Sequence, residues 1–308
     1  MEYITVCIIT YNSSKYIIEA LESVREQTYP YVDLIVSDDK SSDNTVEICK
    51  KWMDEHKDRF RKCELVLTEV NSGTAGNLNR GIARCETEWI KCMAGDDALY
   101  PDFLQKFIER YSDSEFDILC TDTGVYHGEF DENHFKYKLI PNPRFFARED
   151  ARRQYNILLH INLLGPTQIC RKRLYDSVNG FDEKYPLIED KPFYIKVTKL
   201  GISIGYAPLL ATKYRISDAS VQTGMLSARY EGDRKRFYQD VIIPKMDVIG
   251  KVLLNKWIKN LDNYYWPLNE NKRTSIRYFK TKNRLIWLLW KIWEYPYISK
   301  GGMVKVRK

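Results

Sequence analysis

Asp96 and Asp97 are adjacent carboxylates. They follow the apolar stretch 89–93 across Ala94 and Gly95. Neighbouring carboxylates repel, and both stay charged only where a cation or donor hydroxyls lie close. A hard divalent ion with a diphosphate is a natural partner, since Mg2+-type ions take one or two carboxylates plus phosphate oxygens. The same pair also reads as an acidic turn or helix N-cap before Ala98-Leu99-Tyr100-Pro101-Asp102. Three more polar clusters have suitable chemistry: Thr10-Tyr11-Asn12, Asp38-Asp39 and the run from Asn71 to Gly76. Asp38-Asp39 with Ser41-Ser42-Asp43 also reads as an Asx-type turn. Glu189-Asp190 stands before Lys191–Lys199, where Asp190 reads equally as an N-cap with Pro192 in the first turn.

These clusters need elements to position them, and the first hundred residues alternate strand and helix. Residues 3–10 form a β-branched run. Asn12-Ser13-Ser14 then supplies cap residues for a helix with Tyr16, Ile17, Ala20, Leu21 and Val24 on one face. Pro30 closes that helix. Val32 to Ser37 reads as a second strand, Thr45 to about Asp58 as a helix, and Cys63 to Glu69 as a third strand. Asn77 to Ala83 reads as a short helix and Trp89 to Met93 as a fourth strand. This order predicts a mostly parallel sheet with helices on both faces. Ligands of such sheets bind beyond the carboxyl ends of the strands, and all four clusters fall there. The stretch from about 115 to 225 is more mixed, and from 226 on the sequence reads as mostly helical.

The 308 residues suffice for one large domain or two. Seven scattered cysteines with no C-x-x-C spacing argue for reduced thiols in a cytosolic setting, against a disulfide framework or a zinc site. No apolar run reaches the length of a transmembrane helix. Charge is uneven: residues 1–225 hold 29 Lys+Arg against 35 Asp+Glu, and residues 226–308 hold 19 against 7. A basic tail on a slightly acidic body predicts an anionic contact. Within it, 283–293 is rich in Leu and Trp and flanked by cations, which suits a helix lying on a membrane surface. Packing onto the rest of the chain, or against a second copy in a homodimer, is the alternative. No nucleic-acid-binding motif accompanies the basic residues. Arg171-Lys172-Arg173 reads as a solvated face.

Five pieces in order resemble the family 2 glycosyltransferases with the GT-A fold. They are Val6-Cys7-Ile8-Ile9-Thr10-Tyr11-Asn12; residues 35–45 around Asp38-Asp39; Asn71-Ser72-Gly73 with Asn79-Arg80-Gly81; Gly95-Asp96-Asp97; and Glu189-Asp190. The resemblance covers about residues 3–220. It implies an inverting, metal-dependent transferase using a UDP-sugar and Mn2+ or Mg2+. Thr10, Tyr11, Asn12, Asp38, Asp39, Gly73, Asn79 and Asp96 would bind the nucleotide-sugar, with Asp39 accepting from the base. Asp97 would ligate the metal, and Asp190 would be the catalytic base. Residues 1–225 would form the catalytic domain, with nucleotide-sugar binding in about 1–100 and acceptor binding in about 101–225. Residues 226–308 would form the basic, mostly helical C-terminal region.

The departures also inform. Ala94 stands where many members carry a further Asp, and Leu78 where many carry Arg. Ser217 replaces the His of a Tyr-Arg-x-His segment, which would shift diphosphate stabilisation toward Arg215 or basic loop residues. No Gln-x-x-Arg-Trp motif is found, which points away from processive synthases. The expected activity is non-processive transfer of a hexose or N-acetylhexosamine to a lipid-diphosphate-linked saccharide. The expected setting is O-antigen or capsule assembly at the cytoplasmic face of a bacterial inner membrane. A catalytically inactive scaffold of the same fold and a sugar nucleotidyltransferase are the rival readings.

Overall fold

The computed structural model describes residues 2–147, 150–163, 165–216, 227–255 and 303–306. Ser217, Tyr264-Tyr265-Trp266 and the Trp-rich stretch 283–293 lie outside the described residues. Strands are β1 (Ile4–Thr10), β2 (Val32–Asp38), β3 (Cys63–Val66), β4 (Trp89–Ala94), β5 (Ala98–Leu99), β6 (Ile118–His127), β7 (Phe135–Pro141), β8 (Gln168–Arg171), β9 (Gly205–Ile216) and β10 (Met303–Val306). Helices are α1 (Ile17–Arg25), α2 (Thr45–His56), α3 (Gly73–Ala83), α4 (Phe103–Tyr111), α5 (Pro143–Phe146), α6 (Ala151–Leu158), α7 (Lys172–Ser177), α8 (Asp190–Lys199) and α9 (Ser227–Phe237).

β3, β2, β1 and β4 pair in parallel in that order. The chain moves outward from β1 to β3, then crosses back to place β4 on the other side of β1. The carboxyl ends of β1 and β4 therefore flank the point where strand order reverses, the position where such sheets form a crevice. Beyond β4 the sheet changes character. β8 runs antiparallel to β4 and to β6, and β7 and β10 continue antiparallel pairing to the far edge. β9 lies parallel to β6 and antiparallel to the short β5, which curls the sheet back toward the end of β4. The regular strand-helix rhythm of the first hundred residues does not extend to this half.

Side-chain alternation explains the two cores. A strand sends successive side chains to opposite faces. Ile4, Val6 and Ile8 of β1 and Leu34 and Val36 of β2 pack with Ile17, Leu21 and Val24 of α1, Trp52 of α2, and Phe103 and Phe107 of α4. Cys7, Ile35, Ile90 and Cys92 point the other way, toward Leu78 and Ile82 of α3 and Phe193 and Tyr194 of α8. A fully buried aliphatic side chain contributes about 1.5–3 kcal/mol, so a one-residue slip of β1 would expose a large fraction of the driving force.

Two local expectations shift. α1 starts at Ile17 after Tyr16, with no side-chain cap. Asn12, Ser13 and Ser14 instead tie to the loop after β2: the Asn12 amide oxygen accepts from the Ser42 N–H at 2.8 Å, and the Ser13 N–H donates to Thr45 Oγ1 at 2.8 Å. α3 begins at Gly73, four residues before the expected start at Asn77, because its first turn docks on β2 as described below. All seven cysteines are free thiols. Among the described residues no helix is long and apolar enough to cross a membrane.

Candidate active site

Asp96 and Asp97 occupy the turn that leaves β4. The Gly95 N–H donates to Ile9 of β1 at 2.8 Å, and the Asp97 N–H closes the turn on Ala94 at 3.1 Å. Gly95 suits this place because a Cβ there would stand 3.0 Å from both Thr10 Oγ1 and Ile17 Cδ1. Asp97 is 1 % exposed. Its Oδ1 accepts the Arg215 backbone N–H at 2.9 Å, whereas its Oδ2 is buried with no hydrogen-bond partner among the described residues. Burial first, then the neighbouring Asp96 charge, holds the Asp97 carboxyl well above the usual carboxylate range. Burial raises Asp96 as well, opposed by the Arg215 charge. An orphaned, buried carboxylate oxygen beside a second carboxylate is a hard-oxygen donor set, and it fits a Mg2+- or Mn2+-type cation.

Arg215 does not face a diphosphate. It is 1 % exposed, and its guanidinium is consumed inside the protein. Nε donates to the Asp96 carbonyl at 2.7 Å, and the two terminal nitrogens bond the Gly128 carbonyl and Glu19 of α1. The group lies 3.9 Å from the Phe130 ring centroid and 4.4 Å from that of Tyr16. The expectation that Arg215 would take over diphosphate stabilisation is therefore corrected: it fixes the Asp96-Asp97 turn.

Asp38 and Asp39 end β2 and are both buried. Asp38 accepts the Ser41 N–H at 2.8 Å and the Ser41 hydroxyl at 2.5 Å, which closes its turn. The Asp39 N–H donates to the Thr10 carbonyl at 2.9 Å, and the Asn77 amide donates to the same carbonyl at 3.2 Å. The Thr10 carbonyl is thus spent, while Thr10 Oγ1 is buried without a partner among the described residues. Both Asp39 carboxylate oxygens already accept: from Ser72 N–H at 3.0 Å, Ser72 Oγ at 2.9 Å, Gly73 N–H at 2.7 Å and Arg80 at 2.6 Å. Asp39 therefore receives the first N–H groups of α3, a favourable place for a carboxylate. It would meet a nucleobase only by releasing one of these donors. Tyr11, 41 % exposed, and Asn12, with φ of 51°, form the open rim beside it.

Asn79 is a second correction. Its amide donates to the Phe181 carbonyl at 3.0 Å and to Glu183 at 2.8 Å, and its oxygen accepts the Phe181 N–H at 2.8 Å. It clamps α3 to the turn at Gly180 and lines a hollow with Lys172, Asp176 and Lys196, apart from the paired carboxylates. Arg171 likewise departs from a solvated face. It is buried, bonds the Ser112 and Ser114 carbonyls and Glu88, and stacks on Trp89.

Asp190 is the first residue of α8, after Glu189 as N-cap, and its carboxylate is held from three sides. Oδ1 accepts the Lys191 N–H at 2.6 Å, Oδ2 accepts the Asn162 amide at 3.1 Å, and the Gly165 N–H adds a third bond. Burial nonetheless pushes Asp190 up, and burial with the Asp190 charge pushes Glu189 up to about 8. Tyr214 of β9 joins the two centres. Burial raises its phenol first, and Asp97, Asp96 and Asp190 each add to the shift. Asp190 and Glu189 act similarly on Tyr230 of α9. Asp97, Asp96 and Asp190 thus all act on the Tyr214 phenol, and Asp190 and Glu189 on that of Tyr230.

Tyr214, Tyr230, Arg80 and Asn162 were not singled out from sequence. Arg80 had a signal, since a buried Asp39 needs a cation and Arg80 sits within a quoted motif. The others are brought in by long-range packing.

Comparisons with known proteins identify the family and the fold. A family model described as glycosyl transferase family 2 matches residues 5–174. Glycosyltransferase GlyG of Streptococcus pneumoniae serotype 4 is 31% identical over 139 residues, 44% of this chain, and the match spans 44% of the length of GlyG. Among solved structures, S. aureus TarS 1-349 in complex with UDP-GlcNAc superposes with a TM-score of 0.57 at 19% identity, covering 88% of this chain and 77% of that one. Mannosyltransferase PcManGT from Pyrobaculum calidifontis, in complex with GDP-Man and Mn2+, gives 0.54 at 17% identity over 96% of this chain and 84% of that one. At such identities the structural likeness concerns the fold, which is GT-A.

Proposed function

The chain belongs to glycosyltransferase family 2, and from that premise we propose that it moves one hexose or N-acetylhexosamine from a UDP-sugar to a lipid-diphosphate-linked saccharide, inverting the anomeric carbon. The observation that carries this reading is the buried Oδ2 of Asp97, unpartnered among the described residues and beside Asp96, with the charges of both and of Asp190 acting on Tyr214. The TarS complex with UDP-GlcNAc supports a UDP-sugar donor, and the PcManGT complex makes GDP-mannose the informative control.

Thr10, Tyr11, Asn12, Asp38, Asp39 and Gly73 would cradle the nucleoside at the ends of β1 and β2. Asp97, with Asp96, would hold Mn2+ or Mg2+. When bound, such an ion draws charge from the diphosphate oxygens and so eases departure of the nucleotide. Asp190 takes the proton of the acceptor hydroxyl as its oxygen bonds the anomeric carbon. The bond from that carbon to the diphosphate oxygen breaks in the same displacement, and UDP leaves with the electron pair. One displacement inverts the centre, so one base suffices and no enzyme nucleophile is needed. The raised position of Asp190 suits a base, because a carboxylate that binds protons more tightly is a stronger acceptor.

In this reading about 1–100 binds the donor, about 101–225 the acceptor, and the basic region 226–308 meets the anionic cytoplasmic face of an inner membrane or a second copy of the chain. The pathway is assembly of O-antigen, capsule or a related surface polysaccharide. The test is a donor panel of UDP-Glc, UDP-Gal, UDP-GlcNAc, UDP-GalNAc and GDP-mannose. It is run with Mn2+ and a synthetic lipid-diphosphate N-acetylhexosamine, with product mass as readout. One UDP-sugar giving a single-sugar addition that Asp190→Ala abolishes is the expected result. Transfer from GDP-mannose alone, or product undiminished in Asp190→Ala, contradicts it.

A further inference from the structure

Lys91 lies in β4, six residues before Asp97, and is fully buried. Its Nζ donates to the Pro166 carbonyl at 2.5 Å and to the Gln168 carbonyl at 3.2 Å. These are its hydrogen-bond partners among the described residues, and neither is a carboxylate. Burying a cation costs several kcal/mol unless the site returns it, and an apolar side chain of similar volume usually serves stability as well or better. Burial lowers the Lys91 ammonium to about 8, opposed in part by Asp97. A lysine at such a place calls for a role beyond filling the core.

The segment it holds supplies one. Residues 165–167 and Gln168, which opens β8, are bolted to three other strands. Lys91 of β4 and the Thr212 hydroxyl of β9 share the Pro166 carbonyl, the latter at 2.9 Å, and the Thr121 hydroxyl of β6 donates to the Thr167 carbonyl at 2.7 Å. The other side of the segment is Gly165, which packs against the start of α8. A Cβ at Gly165 would stand 3.6 Å from Asp190 Cβ and 3.8 Å from Glu189 Oε1, and the Gly165 N–H bonds the Asp190 carboxylate. A continuous path therefore runs from the strand that ends in Asp96-Asp97, through Lys91 and two carbonyls, to the Asp190 carboxylate.

We propose that Lys91 is a positioning residue. It ties β4 to the Gly165–Gln168 segment and so fixes Asp190 relative to the paired carboxylates. The inference rests on the reading of Asp190 as the base. It touches no substrate and acts through Asp190, so its removal should lower turnover and spare nucleotide binding. A misplacement on the scale of 1 Å can cost about a hundredfold in rate.

The test compares wild type, Lys91→Met, Asp190→Asn and the double variant. UDP binding is read by calorimetry with Mn2+, and kcat and KM are read with the UDP-sugar that transfers in the donor panel. Lys91→Met should keep UDP affinity and donor KM within about twofold and lose about 10- to 100-fold in kcat. In the Asp190→Asn background the same change should add less than about twofold, since both act on one group. Lys91→Gln, which keeps an amide donor, should recover part of the rate. Wild-type kcat in Lys91→Met, a matching loss of UDP affinity, or multiplicative losses in the double variant would overturn the inference. Asp190→Asn at wild-type kcat overturns the base assignment and this inference together. A dead Asp190→Asn beside an unaffected Lys91→Met overturns this inference alone. If Lys91→Met unfolds, Thr212→Val loosens the same Pro166 carbonyl. It should show the same kcat-only loss, and an unchanged kcat there would overturn the inference.

Discussion

At the scale of single residues, Asp97 sets function against stability. Its carboxyl sits well above the ordinary value of 3.8 because burial and Asp96 disfavour the charge. Below about 3.8 it is protonated in folded and unfolded chains alike. The folded chain keeps its proton to higher pH, so the stability it contributes is present in acid and is lost as pH rises through the raised value. Metal-free Asp97→Asn should therefore be more stable than wild type at pH 7, by about 1–3 kcal/mol, with the gap closing as pH falls. Denaturant unfolding at several pH values, with chelator, checks this, and a variant less stable than wild type at neutral pH contradicts it.

Asp190 gives a second prediction. In the proposed mechanism the ionised form is the base, and its carboxyl is raised by burial beside Glu189, which stands at about 8. The pair titrates together, so the rate should climb with pH along an acid limb above the ordinary Asp value of 3.8. A kcat–pH profile whose acid limb lies at or below 3.8 would contradict it. The places of these residues were legible from the sequence, whereas their roles came only from the family resemblance. Asp96, Asp97, Asp38 and Asp190 sit where strand ends and a helix start place them. Asn79 and Arg215 were misread, because their partners lie 102 and 196 residues away and no local pattern announces them.

At the scale of elements, the start of α3 does the most to assemble the proposed donor side. Ser72 and Gly73 present their N–H groups to Asp39, and Arg80, one helical face further on, closes the same carboxylate. This long-range cap explains why the helix begins at Gly73, where Asn77 was the expected start. Local sequence offers only a Gly-rich polar run, which reads as loop. Gly73 has φ of 78°, and a Cβ there would meet Pro186 Cβ at 2.7 Å. Gly73→Ala should thus cost about 1–3 kcal/mol from the left-handed backbone, before the clash with Pro186 is counted. Because Asp39 and the nucleoside rim share this turn, UDP affinity should fall as well. Calorimetry that finds wild-type affinity in a folded Gly73→Ala would separate α3 from the donor site.

At the scale of the whole molecule, one continuous sheet carries two kinds of order. The parallel half, β3-β2-β1-β4, was readable because each strand is followed by an amphipathic helix and a polar turn. The antiparallel half was not, because β6, β7 and β9 find partners by curling around β4 and lack that local rhythm. The curl matters for function: β9 delivers Arg215 and Tyr214 to the end of β4, and the segment before β8 meets Asp190. The two halves thus meet at the end of β4, where Arg215 of the second bonds the Asp96-Asp97 turn of the first.

The most direct test of the account is UDP binding by wild type and Asp97→Ala, each titrated with Mn2+ and with chelator. Wild type should bind UDP about tenfold or more tightly with Mn2+, a coupling of at least about 1.4 kcal/mol, and Asp97→Ala should lose that difference while remaining folded. Equal UDP affinity with and without Mn2+ in wild type, or an undiminished Mn2+ effect in Asp97→Ala, would contradict it.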